Sequence, residues 1–232
     1  MRILRAVLLT MLAAVASAAV YEVGPGKPYA SIGAVPLNSL QPGDEVRIYW
    51  RTTPYKEKWV IARQGTAALP ITFRGVAGPG GELPVIDGNG AVTAPGQNFW
   101  AENRGVIKLG GSNTPPDTAA KHIVIENLDI TGARPPATFT DDVGVTQTYS
   151  ANASTIYIEK GENITVRNCT LRDSGNGFFV ASSDALASRN ILVEGNYIHS
   201  NGNVGSIYEH NAYVAGIGMT FQYNRFGPLL GG

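Results

Sequence analysis

Cysteine is nearly missing from this chain, with one residue, Cys169, in 232. No internal disulfide can form, so the fold has to be held by its core rather than by covalent staples. Charge is scarce as well, at 16% of residues, and 18 basic side chains balance 18 acidic ones. That leaves no basic footprint and argues against nucleic acid as a partner. It also gives no general attraction for a polyanionic sugar, so an acidic substrate would need local arginines and lysines. Three histidines and one cysteine argue against zinc. There is no Gly-x-Ser-x-Gly elbow for a serine nucleophile, no phosphate-binding glycine loop and no Asp-x-Asp-x-Asp calcium loop. No repeated segment has the 3.6-residue apolar spacing of a helical repeat.

What the chain does have is a short sentence written four times: HIVIENLDI from His122, NITVRNCTL from Asn163, NILVEGNYI from Asn190 and GMTFQYNRF from Gly218. Each copy alternates apolar and polar residues, the mark of a half-buried strand. Each reaches an asparagine: Asn127, Asn168, Asn196 and Asn224, separated by 41, 28 and 28 residues. Such an interval is short for a propeller blade and suits one coil of three short strands. Stacked coils would bring the asparagines into a column, each amide bonding backbone and the next amide. Cys169, beside Asn168, then reads as a small buried apolar residue.

With their xITVxNCxI-like strands and the following Gly177-Phe178-Phe179-Val180, these copies resemble the right-handed parallel β-helix of the pectate-lyase-like superfamily. The resemblance implies an all-β, single-stranded solenoid. It leaves the activity open, because lyases, hydrolases, epimerases, tailspikes and adhesins share the fold.

Residues 1–18 read as a secretory signal, with Arg2 and Arg5, an apolar run Ala6–Val15 and the small-x-small pattern Ala16-Ser17-Ala18. The run is too short to span a bilayer, so no membrane span is expected after cleavage and the protein is expected to be secreted or periplasmic. Residues 19–232 form the expected β-helix domain. Its amino-terminal cap is predicted as a short apolar helix through Ala30, Ile32, Ala34, Val35, Leu37 and Leu40. Residues 91–104, 111–120 and 132–153 break the rhythm as loops, and a solenoid grows such loops on one face, often the binding face. Of Trp50, Trp59 and Trp100, one facing a groove would suit stacking on a sugar, while Trp59 reads as core. No closing helix follows Asn224, which predicts that carboxy-terminal coils are missing or that a partner covers the last one. The oligomeric state is left open.

Chemistry-bearing residues crowd into 194–213. A lyase would need a group neutralising a uronate, a base and an acid. His210 and Tyr208 would serve as base and acid, Glu209 as orienter and Arg172 or Arg189 as neutraliser. His199, Asn211, Tyr213 and Asn176 would contact the substrate, a polysaccharide. A hydrolase would instead need two carboxylates across the glycosidic bond, from among Glu159, Asp173, Asp184, Glu194 and Glu209. No cofactor is certain; calcium would be met by Asp141-Asp142 with Asp129 or Glu162. The leading expectation is an exported polysaccharide lyase acting by β-elimination. A glycan-binding or surface β-helix protein, or a glycoside hydrolase of that fold, is the alternative.

Overall fold

The computed structural model describes residues 18–183 and 185–231. The expected leader therefore lies outside the described residues, Ala18 excepted, and so does the candidate Asp184. The described chain is all-β, and its helical segments are three single 3-10 turns. No helix among the described residues is long and apolar enough to cross a membrane.

Three large sheets carry the fold, and the chain visits them in rotation. From Gly161 onward the order is Gly161–Arg167 in the first sheet, Thr170–Arg172 in the second and Asn176–Val180 in the third. The circuit repeats with Arg189–Glu194, Tyr197–His199 and Ala212–Val214, and then begins again with Ile217–Gln222 and Arg225–Phe226. Neighbouring circuits pair in parallel: Ile123, Ile164, Ile191 and Met219 stand in one row. This rotation is compatible with the expected solenoid. The first and second sheets are parallel throughout, seven and five strands wide. The eight-stranded third sheet is parallel but for a hairpin of Thr138–Thr140 and Thr146–Thr148.

Alternation in the repeats does what its period requires. Ile123, Ile125, Ile164, Val166, Ile191 and Val193 are buried between the sheets. Each such side chain contributes about 1.5–3 kcal/mol of burial. Cys169 joins them, and burial raises its thiol to about 12. Trp59 is fully buried and stacks on Phe73.

The single asparagine column is corrected by the register. Glu126, Arg167, Glu194 and Gln222 align, so successive circuits are 41, 27 and 28 residues apart. Asn127 and Asn168 then occupy the first turn position, with Gly195 and Tyr223 stacked beyond them. All four have positive φ, where asparagine and glycine are the least strained residues. Asn196 and Asn224 sit one place on, in line with Cys169. There the Asn196 Oδ1 accepts from Cys169 N (2.9 Å), and the Asn224 Oδ1 accepts from Asn196 N (2.9 Å) and its Nδ2 (3.0 Å). Their Nδ2 groups donate to Val166 O and Val193 O. One letter thus serves two purposes, an outward left-handed turn and an inward amide ladder. The first residues of the four copies do stack: His122, Asn163, Asn190 and Gly218 share positive φ, and Asn190 Nδ2 donates to Asn163 Oδ1 at 3.2 Å.

The cap differs from the expected helix. It consists of two 3-10 turns, Ile32–Ala34 and Leu37–Ser39, split at Val35-Pro36. Proline lacks an N–H and pushes the preceding residue out of the helical region, and Val35 has ψ 141°. Ile32, Val35, Leu37 and Leu40 still bury their side chains.

Candidate active site on the outer face of the third sheet

The loops that interrupt the repeat fold over one face. Asn98–Phe99 pairs with Ser112–Thr114, the turn Glu102–Arg104 follows the first of these, and the hairpin at 138–148 lies beside them. Beneath them the third sheet carries an outward row of side chains in register: Val60, Lys108, Tyr157, Phe179 and Tyr213. Tyr157 and Phe179 have ring centroids 5.4 Å apart, and Phe179 and Tyr213 stack at 5.1 Å with planes 8° apart. The His210 ring continues the row 6.0 Å from Tyr213. The Arg104 guanidinium lies 5.0 Å and 4.9 Å from the Tyr157 and Phe179 centroids. The row is covered at Tyr157 and opens at Tyr213, which is 49% exposed.

At the covered side lies a pocket of about 270 Å³ lined by Phe99, Glu102, Asn103, Phe139, Asp141, Asp142 and Gln147, with Ala101. Glu102 is its unusual member. Its Oε2 accepts from Thr93 Oγ1 at 3.2 Å, while its buried Oε1 has no hydrogen-bond partner among the described residues. A neutral carboxyl tolerates that better than an ionised one. Burial pushes Glu102 up to about 7 against the opposing pull of the Lys58 charge and the Thr93 hydrogen bond, and the negative charges of Asp142 and Asp141 add to the rise. Asp141 goes the other way. Its carboxylate accepts from Gln147 Nε2 (3.0 Å), Val145 N (2.8 Å) and Val143 N (3.1 Å), which holds it below the usual range. Asp142 Oδ2 accepts from Asn98 Nδ2. The pocket thus pushes two carboxyls in opposite directions, Glu102 toward holding its proton and Asp141 toward losing it, the separation acid–base chemistry requires.

Two buried lysines support this floor. Lys58 Nζ donates to Glu102 O at 2.5 Å and lies 3.3 Å from the Phe139 ring centroid. Burial lowers it to about 7. Lys108 donates to Gly111 O and pairs with Glu159 at 2.8 Å, and it is lowered, again by burial first. Trp100 is partly exposed and donates from Nε1 to Glu159 at 2.7 Å. Sequence reading missed Glu102, Lys58 and Lys108. The signal for the two lysines was their place inside apolar strand runs, EKWVI and GVIKL, since a buried ammonium requires partners; Glu102, in the turn Glu102–Arg104, had none.

The residues expected from sequence fall into three groups. His210 and Tyr213 stand together at the open end of the aromatic row. Asn176 and Asn211 are tied into the fold: Asn176 Oδ1 accepts from His210 N (2.8 Å), and Asn211 donates to Gly227 O and accepts from Asn201. Tyr208 is 77% exposed, and Glu209 lines a separate cavity. Arg172 and His199 lie on the second sheet, in register with each other. Arg172 is already matched by Asp129 (2.9 and 3.1 Å) and Asp173 (2.7 Å), so its charge is not free to neutralise a uronate. The His199 ring stacks on Tyr197 at 4.0 Å, and burial lowers its basicity. Among the acids proposed for calcium, Asp129 pairs with Arg172 and Glu162 with Lys121, while Asp141 and Asp142 face the pocket.

No family model matches the chain, and no curated protein matches it in sequence. Among solved structures it is similar to a GH136 lacto-N-biosidase from Eubacterium ramulus, with 18% identity and a TM-score of 0.49. The match covers 81% of this chain and 42% of that one, so the chain spans less than half of its length.

Proposed function

We propose that this is an exported, carbohydrate-active right-handed parallel β-helix protein that hydrolyses a glycan on the outer face of its third sheet. The observation that carries the reading is Glu102: a buried carboxyl with an unpartnered oxygen, raised by burial so that it still holds a proton up to about pH 7, in one pocket with Asp141 and Asp142. Glu102 protonates the leaving glycosidic oxygen. Asp142, whose carboxylate is less fully engaged than that of Asp141, serves as the second carboxylate, activating water or attacking the sugar directly. The glycan then runs along the exposed edge of the Phe179–Tyr213–His210 row, which is open at Tyr213. The leader-like residues 1–18 support export.

The test is incubation with neutral and acidic polysaccharides, following both new reducing ends and the ultraviolet absorbance of unsaturated uronates. New reducing ends without unsaturation are expected, with activity falling as pH rises through about 7, where Glu102 loses its proton. Glu102→Gln should lower turnover by about 10²–10⁴. An unsaturated product that survives Glu102→Gln but needs His210 would replace hydrolysis by β-elimination. Binding without any product would leave a glycan-binding protein.

A further inference from the structure

Glu209 is 6% exposed, yet its Oε2 has no hydrogen-bond partner among the described residues. A buried acceptor left without a donor is unfavourable, so the Glu209 carboxylate gains from any donor brought to it when its cavity is filled. Glu209 lines a cavity of about 470 Å³ that shares no lining residue with the Glu102 pocket. Arg134 lines the same cavity. Its Nη1 donates to Ser200 O and Gly202 O, both at 3.1 Å, and its Nη2 lies 3.9 Å from Asp173 Oδ1. The backbone bonds fix the guanidinium while part of its donor fork stays unused. Pro135, Val204 and Leu230 give the cavity apolar walls.

We infer that this cavity is a second binding site, and that its ligand is an uncharged, hydroxyl-rich sugar unit. Charge decides the class. An anion such as a uronate or phosphate would gain Arg134 but be pressed against the Glu209 carboxylate. A cation would gain Glu209 but meet Arg134. A hydroxyl both donates and accepts, so neighbouring hydroxyls of a neutral sugar can donate a hydrogen bond to Glu209 and accept one from Arg134. The ring's C–H faces meet Pro135, Val204 and Leu230. The volume lies within the range of small-ligand sites. The inference rests on this cavity alone and does not need hydrolysis at Glu102.

Calorimetric titration of the full chain carrying Glu102→Gln, so that nothing is cleaved, tests it. The probes are cellotetraose, xylotetraose, mannotetraose and chitotetraose, with tetragalacturonate as the charged comparator. At least one neutral probe should bind, and adding Glu209→Gln should weaken it roughly tenfold. Val204→Lys should weaken it comparably, because it offers Glu209 an ammonium in the same cavity. Val204 is 88% exposed, so that variant keeps the fold even where a change at buried Glu209 disturbs it. Absence of binding by every neutral probe, unchanged affinity in both variants, or preference for tetragalacturonate would overturn the inference. Failure of the hydrolase reading shows separately, as no product from the unsubstituted chain.

Discussion

At the scale of single residues, the same amino acid carries different energies one position apart. Asn196 is buried, where it satisfies the backbone N–H of Cys169 and the carbonyl of Val166. Asn196→Ala should cost about 2–6 kcal/mol, the sum of two stranded backbone groups, measured by urea unfolding. Asn168 is exposed at φ 53°, so Asn168→Gly should change stability by no more than about 0.5 kcal/mol. Equal costs at the two positions would refute a register that puts them in different files. Cys169 provides a second check. With its thiol buried and raised to about 12, it should stay unreactive to a thiol reagent at pH 8 (roughly the range where a free cysteine reacts) and react fully once unfolded.

At the scale of elements, close stacking decides which substitutions the sheets accept. Gly75 packs under the first-sheet turn so tightly that an added Cβ would lie 1.8 Å from Asn127 O. Gly75→Ala must therefore push two circuits apart, and a loss of about 3 kcal/mol or more is expected in denaturant melts. The aromatic row behaves differently because its end faces solvent. Tyr213→Ala removes a ring stacked on Phe179 but opens no hole in the core. It should leave the melting midpoint nearly unchanged while weakening glycan binding about tenfold, which calorimetry separates.

At the scale of the whole molecule, burying Lys58 and Glu102 together leaves a pH signature. The folded state holds the Glu102 proton more tightly than the unfolded chain, so this contribution to stability falls as pH rises from 4.5 toward about 7. The folded state releases the Lys58 proton more readily, so its contribution falls as pH drops from 10.5 toward about 7. Both are least favourable near neutrality. In urea unfolding across pH, the double variant Lys58→Met/Glu102→Gln should gain most over the parent near pH 7, and less toward either end. A gain that changes in one direction only would show that one of the two shifts is absent. Such a weak point in the middle of the working range is what a site poised for proton transfer would show.

The sequence by itself determined the all-β class and which residues of each strand are buried, because strand alternation is local. It singled out His210 and Tyr213 by residue type, but alternation alone left open which way they face; the register sets Tyr213 beside Phe179, with the His210 ring 6.0 Å from it. Only the tertiary structure decided that Asn168 and Asn196 belong to different files, because a one-residue change of circuit length is invisible in equal spacing. Only it brought Glu102 beside Asp141 and Asp142, some forty residues on, and placed Lys58 beneath them. Charge in a protein is set by burial and by distant neighbours, and neither is written in the letters next to it.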